Sequence, residues 1–169
     1  MRKADSPRVR WWGGVLALSF LLVVTADQLT KNVWIGSYSK GEVIYQLGFF
    51  RLVHVQNTGA AFGIFQGHSD VLKIVASVGI VVLLITGFII YRRIPDLVSR
   101  LTIIAFGLIL GGVVGNLIDR WRWGYVTDFI DFSVWPAFNI ADSAATIGAI
   151  LIAYSLLRLT IAEMRRSPE

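Results

Sequence analysis

The sequence has 169 residues, of which 55% are hydrophobic and 16% are charged, and its mean hydropathy is +0.64. This composition excludes a soluble domain of this length and indicates an integral membrane protein. The absence of cysteine excludes disulfides, thiolate metal sites and a cysteine nucleophile. The net charge of +5 does not indicate nucleic-acid binding, because the Lys and Arg residues cluster beside apolar segments, as is typical of membrane proteins.

Four apolar runs predict four transmembrane helices. A helix rises about 1.5 Å per residue, so each run is close to the ~20 residues that cross ~30 Å of hydrocarbon. The runs cover residues 12–30, 71–91, 101–118 and 138–159. No repeat or low-complexity linker divides the chain, so residues 1–169 are predicted to form one membrane-embedded domain. The expected fold class is all-α, with a small extracytoplasmic β-sheet.

The positive charges predict the direction of these helices. Three basic clusters precede the first run, separate the second from the third, and follow the fourth. Their members are Arg2, Lys3, Arg8 and Arg10; Arg92, Arg93 and Arg100; and Arg158, Arg165 and Arg166. Four spans bring all three clusters to one side, and the positive-inside rule makes that side cytoplasmic. Both termini are therefore expected in the cytoplasm, with connections 31–70 and 119–137 outside.

The first apolar run is predicted to be a retained helix. Its basic start and Val-Thr-Ala ending also fit a cleavable signal peptide, and the charge pattern permits either interpretation. The apolar stretch from Trp11 to Ala26 is long for a signal, which favours retention. Asp27 and Lys31 follow one helical turn apart, so we predict a structural i,i+4 ion pair at the outward end.

The outer connection is predicted to contain a β-hairpin or small sheet. Residues 43–56 are rich in β-branched and aromatic side chains and alternate from Arg51 onward. A sheet with one apolar face would lie on the membrane surface and bind lipid, although packing on the helix ends explains it equally well. Asn57 then opens "NTGAAFG", which reads either as a simple Asx turn or as part of a site.

The third run carries a packing face and a polar end. Glycine recurs every four residues on one face, which predicts close approach of another helix. These residues are Gly107, Gly111 and Gly115. On the neighbouring stripe, Asn116 and Arg120 point in one direction at the outward end. For Arg120 the alternative is a cation at the helix C-terminus, partnered by Asp119.

Two aspartates on either side of the last connection are candidates for acid–base chemistry. Asn139 is the predicted N-cap of the fourth helix, and Asp142 accepts backbone N–H bonds in its first turn. Asp142 is also expected near the depth at which the membrane begins to exclude water. Desolvation there would disfavour its charged carboxylate unless a partner offsets it, so Asp142 is a candidate acid or base. Asp128 precedes it by fourteen positions, and Pro136 breaks the chain between them. Asp131 competes with Asp128 for this role.

The chemistry of such a pair leaves alternatives open. Two adjacent carboxyls cannot both ionise readily, so one keeps a proton, as in aspartic proteases. An ion-pair network accounts equally well for the spacing, and a proton-coupled transporter would use Asp128, Asp142 and Arg120 as a relay. No cofactor is expected, and with only His54 and His68 to supply imidazole, neither is a metal site.

Five motifs in order resemble the bacterial lipoprotein signal peptidases, also called signal peptidase II. The motifs are "DQLTK" at 27–31, "NTGAAFG" at 57–63, "GGVVGNLIDR" at 111–120, "VTDFIDF" at 126–132 and "FNIADSA" at 138–144. The resemblance covers nearly the whole chain. It implies an aspartic endopeptidase of the bacterial inner membrane that removes signal peptides from diacylglyceryl-modified prolipoproteins, cleaving just before the lipidated cysteine.

The resemblance also assigns roles to residues. Asp128 and Asp142 match the catalytic pair of the family. The polar residues that match its active-site lining, and help to position substrate and aspartates, are Asn57, Asn116, Arg120 and Asn139. The expected partners are prolipoprotein substrates, membrane lipid and inhibitors of the globomycin type. We expect a monomer whose active site lies near the outer face.

Overall fold

Four long helices dominate the computed structural model, which describes residues 7–60 and 64–165. They are α1 (Pro7–Leu29), α2 (Ser69–Arg93), α3 (Arg100–Trp123) and α4 (Ile140–Met164). Each is long and apolar enough to cross a membrane, which confirms the four predicted spans. The basic residues Arg2, Lys3 and Arg166 lie outside the described residues, as does the end of the "NTGAAFG" motif.

Local signals define the helix ends that matter for the site. The first helix continues beyond Leu29 through a π-helical turn, Thr30–Trp34, and this turn directs Lys31 inward, where it is buried. Helix α3 begins at a Ser99 capping box and ends at Gly124, whose φ of +76° favours glycine. Asn139 caps α4.

The glycines of α3 place this helix at the centre of the bundle. An added Cβ at Gly107 would overlap Ser19, and at Gly111 it would lie 2.8 Å from Val23 Cβ, so α1 packs closely along this stripe. On the next stripe, Gly112 faces the backbone of α4. Helix α2 also contacts α3, but none of the α2 residues is buried.

A three-stranded antiparallel sheet covers one end of the bundle. The strands are β1 (Val43–Leu47), β2 (Phe50–Asn57) and β3 (Val126–Asp131), in the order β1-β2-β3. The predicted hairpin is confirmed. The third strand was not predicted, although "VTDFID" is rich in the β-branched and aromatic residues that favour a strand.

The alternation in β2 does not separate a buried face from an exposed one. A bulge between Leu52 and Val55 shifts the register against β3, so the neighbours Val53 and His54 are both buried, whereas Val55, on the same predicted face as Val53, is exposed. The exposed apolar side chains of the sheet instead belong mainly to β1 and its turn. They are Val43, Tyr45, Leu47 and Phe49.

Candidate active site

Pairing of β2 with β3 holds Asp128 beside Asn57. Asn57 is the last residue of β2 and pairs with Val126 at the start of β3. Its side-chain Nδ2 donates to Oδ2 of Asp128 over 3.0 Å. Its Oδ1 accepts from the Gly59 N–H at 2.9 Å, so the expected Asx turn is also present and fixes the Asn57 amide. Only 2% of Asp128 is exposed.

The N-terminus of α4 holds Asp142 and connects it to Asp128. Asn139 and Asp142 form a capping box: Asn139 Oδ1 accepts from the Asp142 N–H at 2.9 Å, and Asp142 Oδ2 lies 3.3 Å from the Asn139 N–H. Asn139 Nδ2 also donates to Oδ1 of Asp128 over 2.7 Å. One buried asparagine therefore contacts both carboxyl groups.

Asn116 of α3 completes the support of Asp142. Its Nδ2 donates to Asp142 Oδ1 over 2.7 Å, and its Oδ1 accepts from Asn139 Nδ2 over 3.1 Å. Asp128, Asn139, Asn116 and Asp142 thus form a continuous hydrogen-bonded chain from β3 through α4 and α3. Such a chain restricts both carboxyls to one arrangement.

The competing aspartate, Asp131, has a separate structural role. Arg51 Nη2 lies 2.5 Å from Asp131 Oδ2, and the Ser133 N–H donates to Asp131 Oδ1 over 2.7 Å. These contacts join β2 to β3 and hold the turn that follows. Asp131 does not line the cavity that Asp128 and Asp142 share.

A second buried cluster lies behind Asn116. Lys31 Nζ is 2.8 Å from Asp27 Oδ2, which is the predicted ion pair, and 2.9 Å from Asp119 Oδ2. Asp119 also accepts from Gln28 Nε2 and from the Thr127 N–H. The alternative that partnered Asp119 with Arg120 is therefore wrong. The four-residue spacing of the glycine stripe continues from Gly115 to Asp119, and this spacing was the missed signal.

Arg120 points toward the chain after β2. Its Nη2 donates to the Gly59 carbonyl oxygen over 3.1 Å. Within 7–60 and 64–165, no carboxylate lies within 4.0 Å of its guanidinium, and its buried Nε has no hydrogen-bond partner. Arg120 lines the cavity and has donor capacity to offer there.

A cavity of about 780 Å³ brings these residues to a common space. Its polar lining comprises Gln56, Asn57, Gln66, Asn116, Arg120, Asp128, Asp142, Ser143 and Thr146. Apolar side chains form the rest, among them Val55, Trp135, Phe138 and Ile147. Of the acidic residues in the described chain, Asp128 and Asp142 line this cavity together. An apolar pocket with a few convergent polar groups is typical of a substrate site.

Burial and a like charge shift the titration of Asp128. Desolvation is the larger cause and the nearby charge of Asp142 the next, and together they raise the pKa of the Asp128 carboxyl to about 7. Hydrogen bonds from Asn57 and Asn139 and the charge of Lys31 oppose this shift. Below about pH 7 the Asp128 carboxyl therefore carries a proton.

Four membrane-spanning helices, and two carboxyls that contact one asparagine beside a cavity, are features expected of an aspartic membrane peptidase. The model of one family, described as signal peptidase (SPase) II, matches residues 19–158. The chain belongs to this family. The transporter alternative is therefore wrong.

Curated relatives and solved structures agree with this assignment. A lipoprotein signal peptidase of Dehalococcoides mccartyi is 51% identical over 138 residues, which are 82% of this chain and 86% of the relative. A lipoprotein signal peptidase of Thermodesulfovibrio yellowstonii is 39% identical over 146 residues, which are 84% of this chain and 94% of the relative. A solved bacterial membrane enzyme superimposes with a TM-score of 0.75 at 32% identity, covering 87% of this chain and 90% of the other. The chain is thus a multi-pass bacterial membrane protein.

Proposed function

We propose that this chain removes signal peptides from diacylglyceryl-modified prolipoproteins, cleaving just before the lipidated cysteine, and that Asp128 and Asp142 are its catalytic pair. Membership of the signal peptidase II family supports the reaction. The contact of Asn139 with both carboxyls is the observation that carries the assignment of the pair. The other buried carboxylates of the described chain form ion pairs, Asp27 and Asp119 with Lys31 and Asp131 with Arg51.

The two carboxyls divide the chemistry. Asp128, whose pKa is raised, carries the shared proton, and Asp142, held at the N-terminus of α4 by two N–H bonds, acts as the base. Asp142 takes a proton from a water molecule, whose oxygen attacks the scissile carbonyl carbon. Protonated Asp128 donates to the carbonyl oxygen, and a proton then passes to the leaving amine as the C–N bond breaks. No other group is needed to balance this step.

The neighbouring residues position the substrate and the pair. Asn57, Asn116 and Asn139 hold the carboxyls, while Arg120 offers its remaining donors to a substrate carbonyl. The apolar part of the cavity, with Trp135, accommodates the diacylglyceryl group. A lipid-anchored substrate reaches this end of the bundle from within the bilayer.

The remaining topological assignments follow from charge and substrate. The positive-inside rule supports cytoplasmic termini, which turns the cavity toward the outer face. The exposed side chains of β1 then lie against the membrane surface and its lipid. We propose a monomer, because a single chain supplies both carboxyls and the residues that hold them, and a globomycin-type inhibitor would occupy the cavity beside them.

The purified enzyme in detergent tests this function. We expect cleavage of a diacylglyceryl-cysteine precursor, none of its unlipidated twin, and inhibition by globomycin. Asp128→Asn and Asp142→Asn abolish cleavage but leave the protein folded. Asp131→Asn is the matched control on β3 and retains activity, because Asp131 lies outside the cavity. Full activity of either catalytic-pair variant would refute the assignment.

A further inference from the structure

Lys31 is buried, yet the proposed reaction gives it no task. Only 2% of its surface is exposed. An ammonium has three N–H donors and no acceptor, and Lys31 uses all three. Two go to carboxylates, Asp27 Oδ2 at 2.8 Å and Asp119 Oδ2 at 2.9 Å. The third goes to Asn116 Oδ1 at 2.9 Å, which leads toward the catalytic pair.

The contact with Asn116 determines which way its amide faces. Asn116 Oδ1 accepts from two groups that can only donate there, the Lys31 ammonium and the Asn139 Nδ2. The Asn116 Nδ2 must therefore face Asp142, to which it donates over 2.7 Å. The reversed amide would place its N–H groups against the ammonium and its oxygen against the Asp142 carboxylate, and both contacts are repulsive.

We infer that Lys31 is a positioning residue of the hydrolysis: through Asn116 it fixes the orientation of the Asp142 carboxyl. Without Lys31, only the 3.1 Å bond from Asn139 Nδ2 would hold the Asn116 oxygen in place, and the amide would turn more readily because its oxygen and nitrogen ends have nearly equal shape. Lys31 itself touches neither the substrate cavity nor the reacting atoms. This inference rests on the proposed catalytic pair and adds a residue from the extension of α1 to its support.

The charged groups around this path come from every neighbouring element. They are Asp27 on α1, Asp119 and Arg120 on α3, Asp128 on β3 and Asp142 on α4. Lys31 also lowers the pKa of Asp128 by its charge, against the larger effect of desolvation. Activity should fall at alkaline pH as Asp128 loses its proton. Removal of the Lys31 ammonium should therefore move this alkaline limb of the pH–activity profile to higher pH.

The first experiment compares Lys31→Met with Lys73→Met on a diacylglyceryl-modified precursor. Lys73 is a cation at the same end of the bundle, paired with Asp70 and without contact to Asn116. We expect Lys31→Met to lower kcat about 100-fold, the cost of displacing a reacting group by about 1 Å, with KM changed less than about threefold. Lys73→Met should keep both constants and the pH profile of the unaltered enzyme.

A double-mutant cycle separates positioning from general destabilisation. If Lys31 acts through Asn116, Lys31→Met adds less than about threefold to the loss of kcat caused by Asn116→Ala. Independent losses that multiply would overturn the inference, as would a Lys31→Met enzyme with normal kcat and pH profile. If Asp128→Asn and Asp142→Asn are inactive while Lys31→Met is normal, this inference is refuted. The assignment of the catalytic pair is then unaffected.

A second variant covers failure of Lys31→Met to fold, since that change leaves Asp27 and Asp119 without their cation. Asp27→Asn/Lys31→Met removes one carboxylate together with the ammonium, and the amide oxygen introduced at position 27 can still accept from the Ala141 N–H. Asp119 retains its bonds from Gln28 and Thr127. We expect the same loss of kcat and the same alkaline shift, and normal values of both would overturn the inference.

Discussion

Asn139 donates its side-chain N–H to Oδ1 of Asp128 over 2.7 Å, and it does so from the cap position of α4. The residue that begins the helix thereby also holds a carboxyl on another element. Stability of the helix and geometry of the site are therefore coupled at one side chain. This coupling distinguishes Asn139 from an ordinary N-cap.

Replacement of Asn139 by Ala should reduce both stability and activity. Loss of an N-cap costs about 1 kcal/mol, and Asp128 additionally loses a donor at 2.7 Å. Ser99→Ala removes the equivalent capping box from α3, away from the cavity. We expect similar losses of Tm from the cap itself but a fall in kcat, of about 100-fold, for Asn139→Ala alone. Equal kcat values in the two variants would show that Asn139 serves only as a cap.

Activity should depend on pH through the shared proton of the pair. Asp128, with a pKa raised to about 7, supplies the protonated carboxyl, so the rate falls as pH rises above about 7. The ratio kcat/KM, measured across the range from about pH 5 to about pH 9, should fall with a midpoint near pH 7. A rate that stays constant from neutral pH through the alkaline limb would contradict a shared proton.

Stability should depend on pH in the direction set by the same raised pKa. The pKa of Asp128 is about 7 in the folded state against an ordinary value of 3.8, so the folded state binds more protons between these two pH values. Protonation of Asp128 therefore contributes to the free energy of unfolding in full below about pH 4. This contribution, up to about 4 kcal/mol, is lost as the pH rises through 7.

The Tm of the purified protein in detergent, measured from about pH 5 to about pH 8, tests this dependence. It should fall across that range, and Asp128→Asn should flatten the fall. Asp131→Asn is the control with an ion-paired carboxyl. A variant and an unaltered protein with parallel pH dependences would rule out Asp128 as the source.

Close approach of α3 and α4 should be required near the site. An added Cβ at Gly112 would overlap the Ala141 carbonyl oxygen and lie 3.1 Å from Ala145 Cβ. Gly112→Ala therefore pushes α4 away and separates Asp142 from Asn116, one turn further along α3. We expect a loss of about 1–3 kcal/mol in stability and a marked loss of activity.

Gly79→Ala is the matched control for that substitution. Gly79 lies within α2, where an added Cβ would meet nothing within 4 Å. Alanine there should leave activity unchanged and stabilise the helix by up to about 1 kcal/mol. Thermal unfolding followed by circular dichroism and the cleavage assay distinguish the two variants. A Gly112→Ala enzyme as active and stable as Gly79→Ala would show that α4 can shift without harm.

The sequence alone was sufficient for features whose geometry is local. The four spans follow from apolar runs of sufficient length, which the structure confirms. The Asp27–Lys31 pair and the Asn139–Asp142 capping box follow from the helical repeat, since residues three or four apart share a helix face. The five motifs, in their order along the chain, also indicated the signal peptidase II family, and the match to the family model confirms it.

Contacts between distant segments were decided by the tertiary structure. Pairing of β3 with β2 turns Asp128 toward Asn57 and Asp131 toward Arg51, a choice that the sequence left open. Burial of Lys31 against α3 likewise gave Asp119 a partner that local spacing did not indicate. A helix fixes the relation of neighbours by its own hydrogen bonds. Residues tens of positions apart meet only where register, bulges and close glycine packing place their elements together.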